Sequence, residues 1–585
     1  MSDAAARRAA LAVARKERAP DLAVVGGELA NVYSGEWLPW NVEVAAGRIA
    51  YVGPRSPSVD ASTTVVDAAG RAVVPGYIEA HFHPFALYNP ASVLEVALPT
   101  GTATTVADNL SYFLIGGVSG FRAVVDAVAR LPGHHYWVAR LRSQSEFEGE
   151  LERFSLAAIR EQLGWPEVLA TGEVTRWIQI TEGDPHLLEA FAAARAAGKR
   201  VDGHGAGASF DRLTAMAAAG VSADHEAISG EEAANRLRLG LWTLLRGSSL
   251  RRDLPELVAT LRDRGLDTRR VLLTTDGSGP LHLQEHGMLD GLLATAVGEG
   301  LEPMTALQMV TVNAATFLGL DEELGGLAPG RRATLSILPA RDRFRPDEVY
   351  VDGRLVARDG ALLEEPAIDW DELGCRPDFA APERFANPGL YPLRGTGTER
   401  SVATMRYESA VIARRVDRTF PVRDGIVDLA DADGCAYVAL VDRHGRWAAR
   451  GIADNVFPGV AGLASTYNTA AELLVIGRDP ASMAAAAEHV AGLGGGIAVA
   501  DAGEVRWSAA LEINGMSSTG RFADAVAIER ELSEQVAARG YPFHDVVYTL
   551  LFMVCDFLPD IRLTPRGLMH VKTGAILEPA EVLRA

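Results

Sequence analysis

The stretch VVPGYIEAHFH, residues 73–83, decides the fold of this chain. Its first part is rich in apolar and β-forming residues, which predicts a buried strand over residues 73–80. Residues two positions apart on a strand point to the same face, so His81 and His83 converge where this strand ends. Two imidazoles placed in this way can bind one metal ion, although a bare His-x-His pair also occurs at the surface ends of strands.

An apolar strand, a loop and an amphipathic helix alternate from this stretch to about residue 318. Alternating strands and helices are typical of a parallel sheet, and eight such units over about 250 residues match a (β/α)8 TIM barrel. We therefore predict an α/β protein whose main domain, residues 73–324, is this barrel. The predicted strands are 73–80, 103–108, 136–142, 167–172, 199–203, 219–224, 240–246 and 271–275.

Other segments flank the predicted barrel on both sides. Short alternating strands predict one small β-sandwich, built from residues 21–72 and 325–363 together. A leader helix is predicted over residues 1–20, which lack the apolar segment of a secretion signal. The Pro-rich, polar stretch 364–397 is the predicted linker to a C-terminal α/β (α+β) domain, residues 398–585.

Composition limits the classes of partner and the cellular location. The net charge of −20 argues against nucleic acid or an anionic membrane as a partner. No apolar run reaches the roughly 20 residues that a membrane span needs. Three cysteines, far apart and odd in number, fit a reducing cytoplasm without structural disulfides. We expect a cytoplasmic homodimer that binds a small-molecule substrate.

Titratable side chains stand at the predicted carboxyl ends of five barrel strands, which is where this fold carries its catalytic groups. Any one of them could be structural, but six metal-capable side chains at the same end of one barrel are hard to obtain by chance. The set comprises His81 and His83 after strand 1, Glu173 after strand 4, His204 after strand 5, His225 after strand 6 and Asp276 after strand 8.

This ligand set indicates the kind of chemistry. Nitrogen and oxygen ligands without thiolate suit two divalent transition metals, Mn, Fe or Zn, with one carboxylate bridging them. Such metals lower the pKa of a bound water, and Asp276 can take the proton as this water attacks. The predicted reaction is hydrolysis at an sp2 carbon, either deamination of a ring amine or opening of an amide.

Further motifs accompany the ligands: Pro75-Gly76 before His81, Asp202-Gly203-His204, His225-Glu226, Arg246-x-x-Ser249, Thr275-Asp276 and Ile476-Gly477-Arg478. They resemble the amidohydrolase superfamily and, within it, bacterial adenine deaminases, over about residues 21–568. The resemblance implies hydrolysis of adenine to hypoxanthine and ammonia. It also implies that Glu173 bridges the metals, with Glu182, in the strand-like segment 178–182, as the alternative.

The resemblance also yields candidates for substrate contact. Glu226, beside a ligand, is the candidate for contacting or protonating the purine ring. The other candidate substrate-binding residues are Asp108, Ser111, Ser278 and His282.

Two departures from the family pattern leave alternatives open. Residues 108–111 read Asp-Asn-Leu-Ser, where adenine deaminases carry Asp-Pro-His-Glu. Residues 464–468 read Ala-Ser-Thr-Tyr-Asn, where the family tends to have His-Asp-Ser-His-Asn. A serine cannot shuttle protons as a carboxylate does. Hydrolysis of another cyclic amidine or amide therefore stays open, as does a non-catalytic paralogue that kept the barrel.

Overall fold

Eight parallel strands form a curled sheet that closes on itself. The computed structural model describes residues 2–583, so Met1 of the predicted leader and residues 584–585 of the predicted C-terminal domain lie outside the described residues. Two four-stranded parallel sheets, β4-β3-β2-β1 and β5-β6-β7-β8, meet at both edges through the pairs Ala170–Arg200 and Phe82–Asp276. The strands are β1 Tyr77–Phe82, β2 Thr102–Ala107, β3 His134–Ala139, β4 Val168–Thr171, β5 Asp202–Gly203, β6 Ala223–Asp224, β7 Trp242–Arg246 and β8 Val271–Thr274.

Each predicted barrel strand overlaps an observed one, which confirms a TIM-barrel-like fold. Strands β1 and β2 are buried along their whole length, as expected for strands covered on both faces. One core cluster contains side chains from seven of the strands, among them Ile78, Val106, Val138, Ala170, Ala223, Leu244 and Leu272.

Helices connect and surround the strands of the barrel, as the alternating pattern predicts. They are Leu94–Ala97, Leu110–Val128, Glu150–Arg153, Leu156–Leu163, Trp177–Glu182, Pro185–Ala196, Phe210–Ala219, Gly230–Arg238, Leu254–Arg264, Pro280–His286, Leu289–Gly298, Pro303–Met309 and Val312–Leu318.

The predicted first strand, 73–80, is wrong in its boundaries. Ala72–Pro75 pairs antiparallel with Leu335–Leu338 in a flanking sheet, and β1 begins only at Tyr77. Gly76 lies between them, where a Cβ would stand 2.7 Å from the Thr334 side chain. The continuous apolar run therefore contributes strands to two different sheets. Gly76 separates these strands at a point where the Thr334 side chain leaves little room for a Cβ.

Two sheets flank the barrel; the first has only strands that precede the barrel in the chain, and the second combines strands from before and after it. In spatial order, one has strands Arg48–Gly53, Asn41–Ala45, Leu22–Val25 and Thr64–Asp67, and the other has Ala361–Leu362, Arg354–Arg358, Glu348–Val351, Leu335–Leu338, Ala72–Pro75, Glu28–Asn31 and Glu36–Leu38. Leu22 and Val44 of the first sheet share a core cluster with Leu29 and Ile337 of the second. The helix Asp3–Ala14 lies against the first sheet, where its Val13 clusters with Ala45 and Ala50.

The helix Leu110–Val128, which follows β2, corrects the expectation about apolar runs. Its 19 residues are long and apolar enough, by length and composition alone, to cross a membrane. Gly117 interrupts its helical backbone with a φ of 62°. Phe113 and Phe121 are fully buried in the core cluster around the barrel. Packing of this helix against the barrel accounts for its apolar composition.

The C-terminal part, from Glu399, consists of a large sheet, a small sheet and three helices. The large sheet has ten strands and the small one three. The large sheet has Glu399–Tyr407, Ala413–Arg423, Ile426–Val427, Cys435–Val441, Trp447–Asp454, Gly462–Ser465, Leu473–Gly477, Gly496–Asp501, Glu504–Ala510 and Glu581–Val582; the small sheet has Ile561–Thr564, Gly567–His570 and Ala575–Pro579; the helices are Pro480–Leu493, Phe522–Ala537 and Val546–Phe552.

This C-terminal part covers the carboxyl end of the barrel. The backbone carbonyl of Ser518 accepts a hydrogen bond from Asn89 Nδ2 at 2.8 Å. Asp556 forms an ion pair with Arg176 at 2.5 Å. A Cβ on Gly277 would lie 2.1 Å from the Tyr548 hydroxyl, so this glycine leaves room for the Tyr548 side chain of the helix Val546–Phe552.

Candidate metal centre and active site

The six predicted ligands lie together at the carboxyl ends of their strands. They fall into two groups, and within each group one nitrogen or oxygen atom per residue lies within 4.8 Å of the others. The first group is His81, His83 and Asp276, and the second is Glu173, His204 and His225.

In the first group, one carboxylate oxygen faces both imidazoles. Asp276 Oδ1 lies 3.1 Å from His83 Nε2 and 3.5 Å from His81 Nε2. His81 Nε2 is buried and has no hydrogen-bond partner among the described residues. Buried polar atoms are rarely left unpaired, so this atom is arranged for a ligand.

In the second group, Glu173 Oε2 plays the same part. It lies 2.7 Å from His204 Nδ1 and 3.2 Å from His225 Nε2. The other oxygen of Glu173 lies 3.8 Å from His83 Nε2, so this carboxylate reaches towards both groups.

Two further carboxylates hold the imidazoles of β1. Asp202 Oδ2 lies 2.9 Å from His81 Nδ1, and Asp108 Oδ2 lies 3.1 Å from His83 Nδ1. The hydrogen bond to Asp202 fixes the tautomer of His81 and orients its Nε2 towards a metal, as is usual for metal-binding histidines, whereas Asp108 contacts His83 Nδ1 without hydrogen-bond geometry. The donor set and its supporting residues therefore fit divalent metal ions.

Neighbouring histidines and arginines hold the ligand carboxylates in the charged form. Burial alone would raise the pKa of Glu173. The nearby His204 and Arg140 side chains outweigh burial and keep this pKa well below its ordinary value. The pKa of Asp276 is likewise held well below its ordinary value against burial, by His81, His83 and Arg246. Both groups are thus carboxylates at neutral pH, as metal ligands must be.

Glu226 is also held in the charged form, which favours contact with the ring over protonation of the ring in its predicted role. It lines the cavity, and its Oε2 accepts a hydrogen bond from Arg246 Nη2 at 2.8 Å. Burial raises its pKa, but Arg246, His204 and His225 outweigh burial and lower it to about 2. Such a group can accept a hydrogen bond from a substrate, but it holds no proton to donate at neutral pH.

A cavity of about 450 Å³ opens above the ligands. Its polar side comes from the barrel and includes Glu173, Glu226, Arg246 and Asp276. Its apolar side comes mainly from the C-terminal part and includes Val411, Tyr467, Tyr548, Leu551, Phe552 and Phe557.

Aromatic rings connect the two sides. The rings of His204 and Phe557 meet edge to face with centroids 5.3 Å apart. Phe557 and Phe552 follow at 5.6 Å, and Phe552 and Tyr548 at 5.4 Å. This row of rings can pack on a planar heterocycle above the ligands.

The predicted substrate-binding residues lie elsewhere than expected, since none of the four lines this cavity. Asp108 is engaged by Arg140 and His83. Ser111 is buried in the helix that begins at Leu110, directly after β2. The Ser278 hydroxyl donates to the Thr275 carbonyl, and His282 lies half-buried beside His286. None of the residues 108–111 therefore lines the cavity, and Asp108 is the one that contacts a predicted ligand, His83.

Glu182, the alternative bridging ligand, is not one of the side chains grouped at the strand ends. The segment 178–182, which the sequence suggested as a strand, belongs to the helix Trp177–Glu182. Glu182 is exposed at its last position. Glu173 is the carboxylate that joins the two groups.

Several residues of the site were missed by sequence reasoning, or named there without a role. Arg140 follows β3, and Gln144 follows it in the next loop. Applying the strand-end rule to basic as well as acidic residues would have identified Arg140 and would have given Arg246, known only from a motif, a place in the site. Tyr467 was noted only as a departure from a motif, and its ring lines the cavity.

The fold and the ligand set define a metal-dependent hydrolase of the amidohydrolase type. The family model described as "Amidohydrolase family" matches residues 72–356, and "Adenine deaminase C-terminal domain" matches residues 410–575. The family uses divalent metal, in agreement with the donor set.

Relatives match almost the whole chain. A protein of Halalkalibacterium halodurans, named "Putative adenine deaminase", is 35% identical over 98% of this chain and 97% of its own. Adenine deaminases of Moorella thermoacetica and Paracoccus denitrificans are each 32% identical, covering 96% and 95% of this chain and 96% and 94% of their own. The chain belongs to the adenine deaminase family, and it is an adenine deaminase-like hydrolase that acts on C–N bonds in cyclic amidines.

Proposed function

We propose that the protein hydrolyses adenine to hypoxanthine and ammonia with two divalent metal ions, Mn, Fe or Zn. The observation that carries the proposal is the joining of two ligand groups by Glu173 beneath a cavity with one charged and one apolar wall. When bound, the metals supply an acidified water near neutral pH. His81, His83 and Asp276 would hold one ion, and Glu173, His204 and His225 the other.

Asp276 is the proton acceptor in this proposal. Its carboxylate is ionised and lines the cavity, so it can take a proton from the water that attacks C6 of the purine. Attack opens the C6–N1 double bond; Asp276 then passes the proton to the exocyclic amino group, the bond between C6 and that nitrogen breaks, the C6–N1 double bond re-forms and ammonia leaves. Arg246, which donates to Asp276 Oδ2 at 3.0 Å, keeps the carboxylate aimed at the reacting atoms.

Glu226 orients the ring. As a carboxylate fixed by Arg246, it can accept a hydrogen bond from a purine N–H group. The aromatic row from Phe557 to Tyr548 would pack on the ring and exclude water from it.

A second candidate is the hydrolysis of another cyclic amidine or amide with a larger apolar body. A cavity of about 150 Å³ suffices for benzene. Scaled by the number of non-hydrogen atoms, a purine base such as adenine needs about 250 Å³. The cavity of about 450 Å³ leaves space beyond that, next to apolar side chains such as Val411 and Leu551. The complete ligand set and the family relationship give no support to a non-catalytic paralogue.

Ammonia release from Mn-reconstituted protein, compared between adenine and larger cyclic amidines or amides, tests both candidates. The first expects adenine to have the highest kcat/KM, and the second expects a larger compound to exceed it by at least tenfold. Absence of metal after careful purification and reconstitution, or absence of any turnover, would contradict both.

The remaining expectations concern organisation and location. We propose that residues 21–72 and 325–363 form one small domain, that 364–397 link the barrel to the domain 398–585, and that the enzyme is a cytoplasmic homodimer. The three cysteines, all buried and free, fit this location. Size measurement in solution and limited proteolysis test the assembly and the boundaries.

A further inference from the structure

Arg140 links ligands of both metal groups without lining the cavity. It is 1% exposed. Its Nη2 donates to Glu173 Oε1 at 2.9 Å, and its Nε donates to Asp108 Oδ2 at 2.9 Å. Asp108 in turn lies 3.1 Å from His83 Nδ1. One guanidinium is therefore in contact with the carboxylate that joins the groups and, through Asp108, with an imidazole of the first group.

The surroundings hold Arg140 in this position. Asn109 Oδ1 accepts a hydrogen bond from its backbone N–H at 3.1 Å. A Cβ on Gly172 would lie 3.0 to 3.2 Å from Arg140, so the glycine before Glu173 leaves room for the arginine. Gln144 Nε2 adds a second donor to Glu173 Oε1, at 2.8 Å.

Two opposite effects on metal binding must be weighed. A cation next to a metal site repels the metal, whereas a fixed donor on a ligand carboxylate orients it and favours binding. The charge of Arg140 is matched at contact distance by Asp108, which belongs to the supporting residues of His83. The pair is neutral as a whole, so orientation outweighs repulsion.

We propose that Arg140 is a positioning residue that fixes Glu173 and His83 for metal binding, with Gln144 as its helper on Glu173. The proposal rests on the metal centre of the proposed function. It differs from the role of Arg246, which lines the cavity and can touch substrate.

The test measures Mn²⁺ binding to metal-free protein by competition with a chelator, without substrate. Partners of metal ligands typically contribute 10–100-fold to affinity. Arg140→Met is expected to weaken binding by about 100-fold, and Gln144→Met by about 10-fold. Arg140→Lys keeps the charge but cannot keep both contacts, so an intermediate loss is expected.

Arg176→Met is the matched control. Arg176 is also a buried arginine between two carboxylates, with Glu150 at 2.8 Å and Asp556 at 2.5 Å, but it contacts none of the six ligands. It should lower thermal stability and leave Mn²⁺ affinity unchanged.

Wild-type affinity or increased metal content in Arg140→Met would overturn the proposal, the latter by showing that the arginine competes with metal. If Arg140→Met does not fold, Gln144→Met decides: wild-type affinity in this variant overturns the proposal. A wild-type protein that binds no Mn²⁺ would instead remove the metal centre, and with it the proposed function.

Discussion

The two walls of the cavity differ in how they are built. The barrel wall carries the charged side chains of the cavity, and other charged groups hold them, as Arg140 holds Glu173 and Arg246 holds Glu226. The C-terminal wall consists mainly of apolar and aromatic side chains in van der Waals contact, such as Phe552 and Phe557. The barrel wall is suited to reaction chemistry, which needs exact positions of charge, and the C-terminal wall to substrate binding, which needs apolar area.

Breaking the barrel wall at its proton acceptor should give the largest effect. Asp276→Asn keeps the shape of the side chain but cannot take a proton, so kcat should fall by about 10²–10⁴-fold. Steady-state ammonia release measures the loss. Asp290→Asn, which changes a buried aspartate outside the cavity, should retain kcat. A fall of less than tenfold in Asp276→Asn would show that another group accepts the proton.

Removing a supporting carboxylate should affect metal before chemistry. Asp202→Ala leaves His81 Nδ1 without its partner at 2.9 Å, and metal affinity should fall by about 10–100-fold. Asp202→Asn keeps an acceptor oxygen and should lose less. Chelator competition measures both variants, and equal affinities in wild type and Asp202→Ala would contradict the supporting role.

Breaking the C-terminal wall should change substrate binding alone. Stacking of a base on an aromatic ring contributes about 1–3 kcal/mol, so Phe557→Ala should raise KM by about tenfold. The metal content should stay at the wild-type level, in contrast to Asp202→Ala. Phe557→Leu, which keeps apolar area without a ring, separates stacking from simple burial. Loss of metal in Phe557→Ala would mean that the two walls are not independent.

The junction between the walls should give the smallest effect. Burial, with Asp545 and Glu285 nearby, raises the pKa of Glu529 to about 8, although the Leu281 N–H opposes this. The folded protein keeps this proton up to about pH 8, whereas the unfolded chain loses it near pH 4.5. Stability therefore falls as pH rises through this window.

Glu529→Gln removes that dependence while keeping an acceptor for Leu281 N, which Glu529 Oε2 engages at 2.7 Å. The apparent Tm should rise by about 1–3 °C at pH 8 and match the wild type near pH 5. Thermal scans at both pH values measure the difference. The same shift at both values would show that Glu529 is not protonated in the folded state.

The sequence was most informative where local geometry repeats. Strand period, loop punctuation and the rule that barrel sites lie at strand ends were enough to locate six of the eight metal-capable side chains that the structure brings together; the other two are Asp108 and Asp202. The same reasoning could not show that Ser278 and His282 lie outside the cavity lining, because a position after a strand does not determine which way a side chain turns. It failed at Glu182 because a short apolar segment fits a helix as well as a strand.

The sequence by itself determined the barrel, the ligand types and the family, since these follow from patterns within single strands and motifs. Only the tertiary structure decided that Arg140 connects Asp108 with Glu173, and that Phe557 lies on His204. Such contacts join residues tens to hundreds of positions apart and leave no periodic trace along the chain. They depend instead on how closely a neighbouring residue approaches the backbone, as Arg140 approaches Gly172 and the Tyr548 hydroxyl approaches Gly277, and the packed core alone sets that approach.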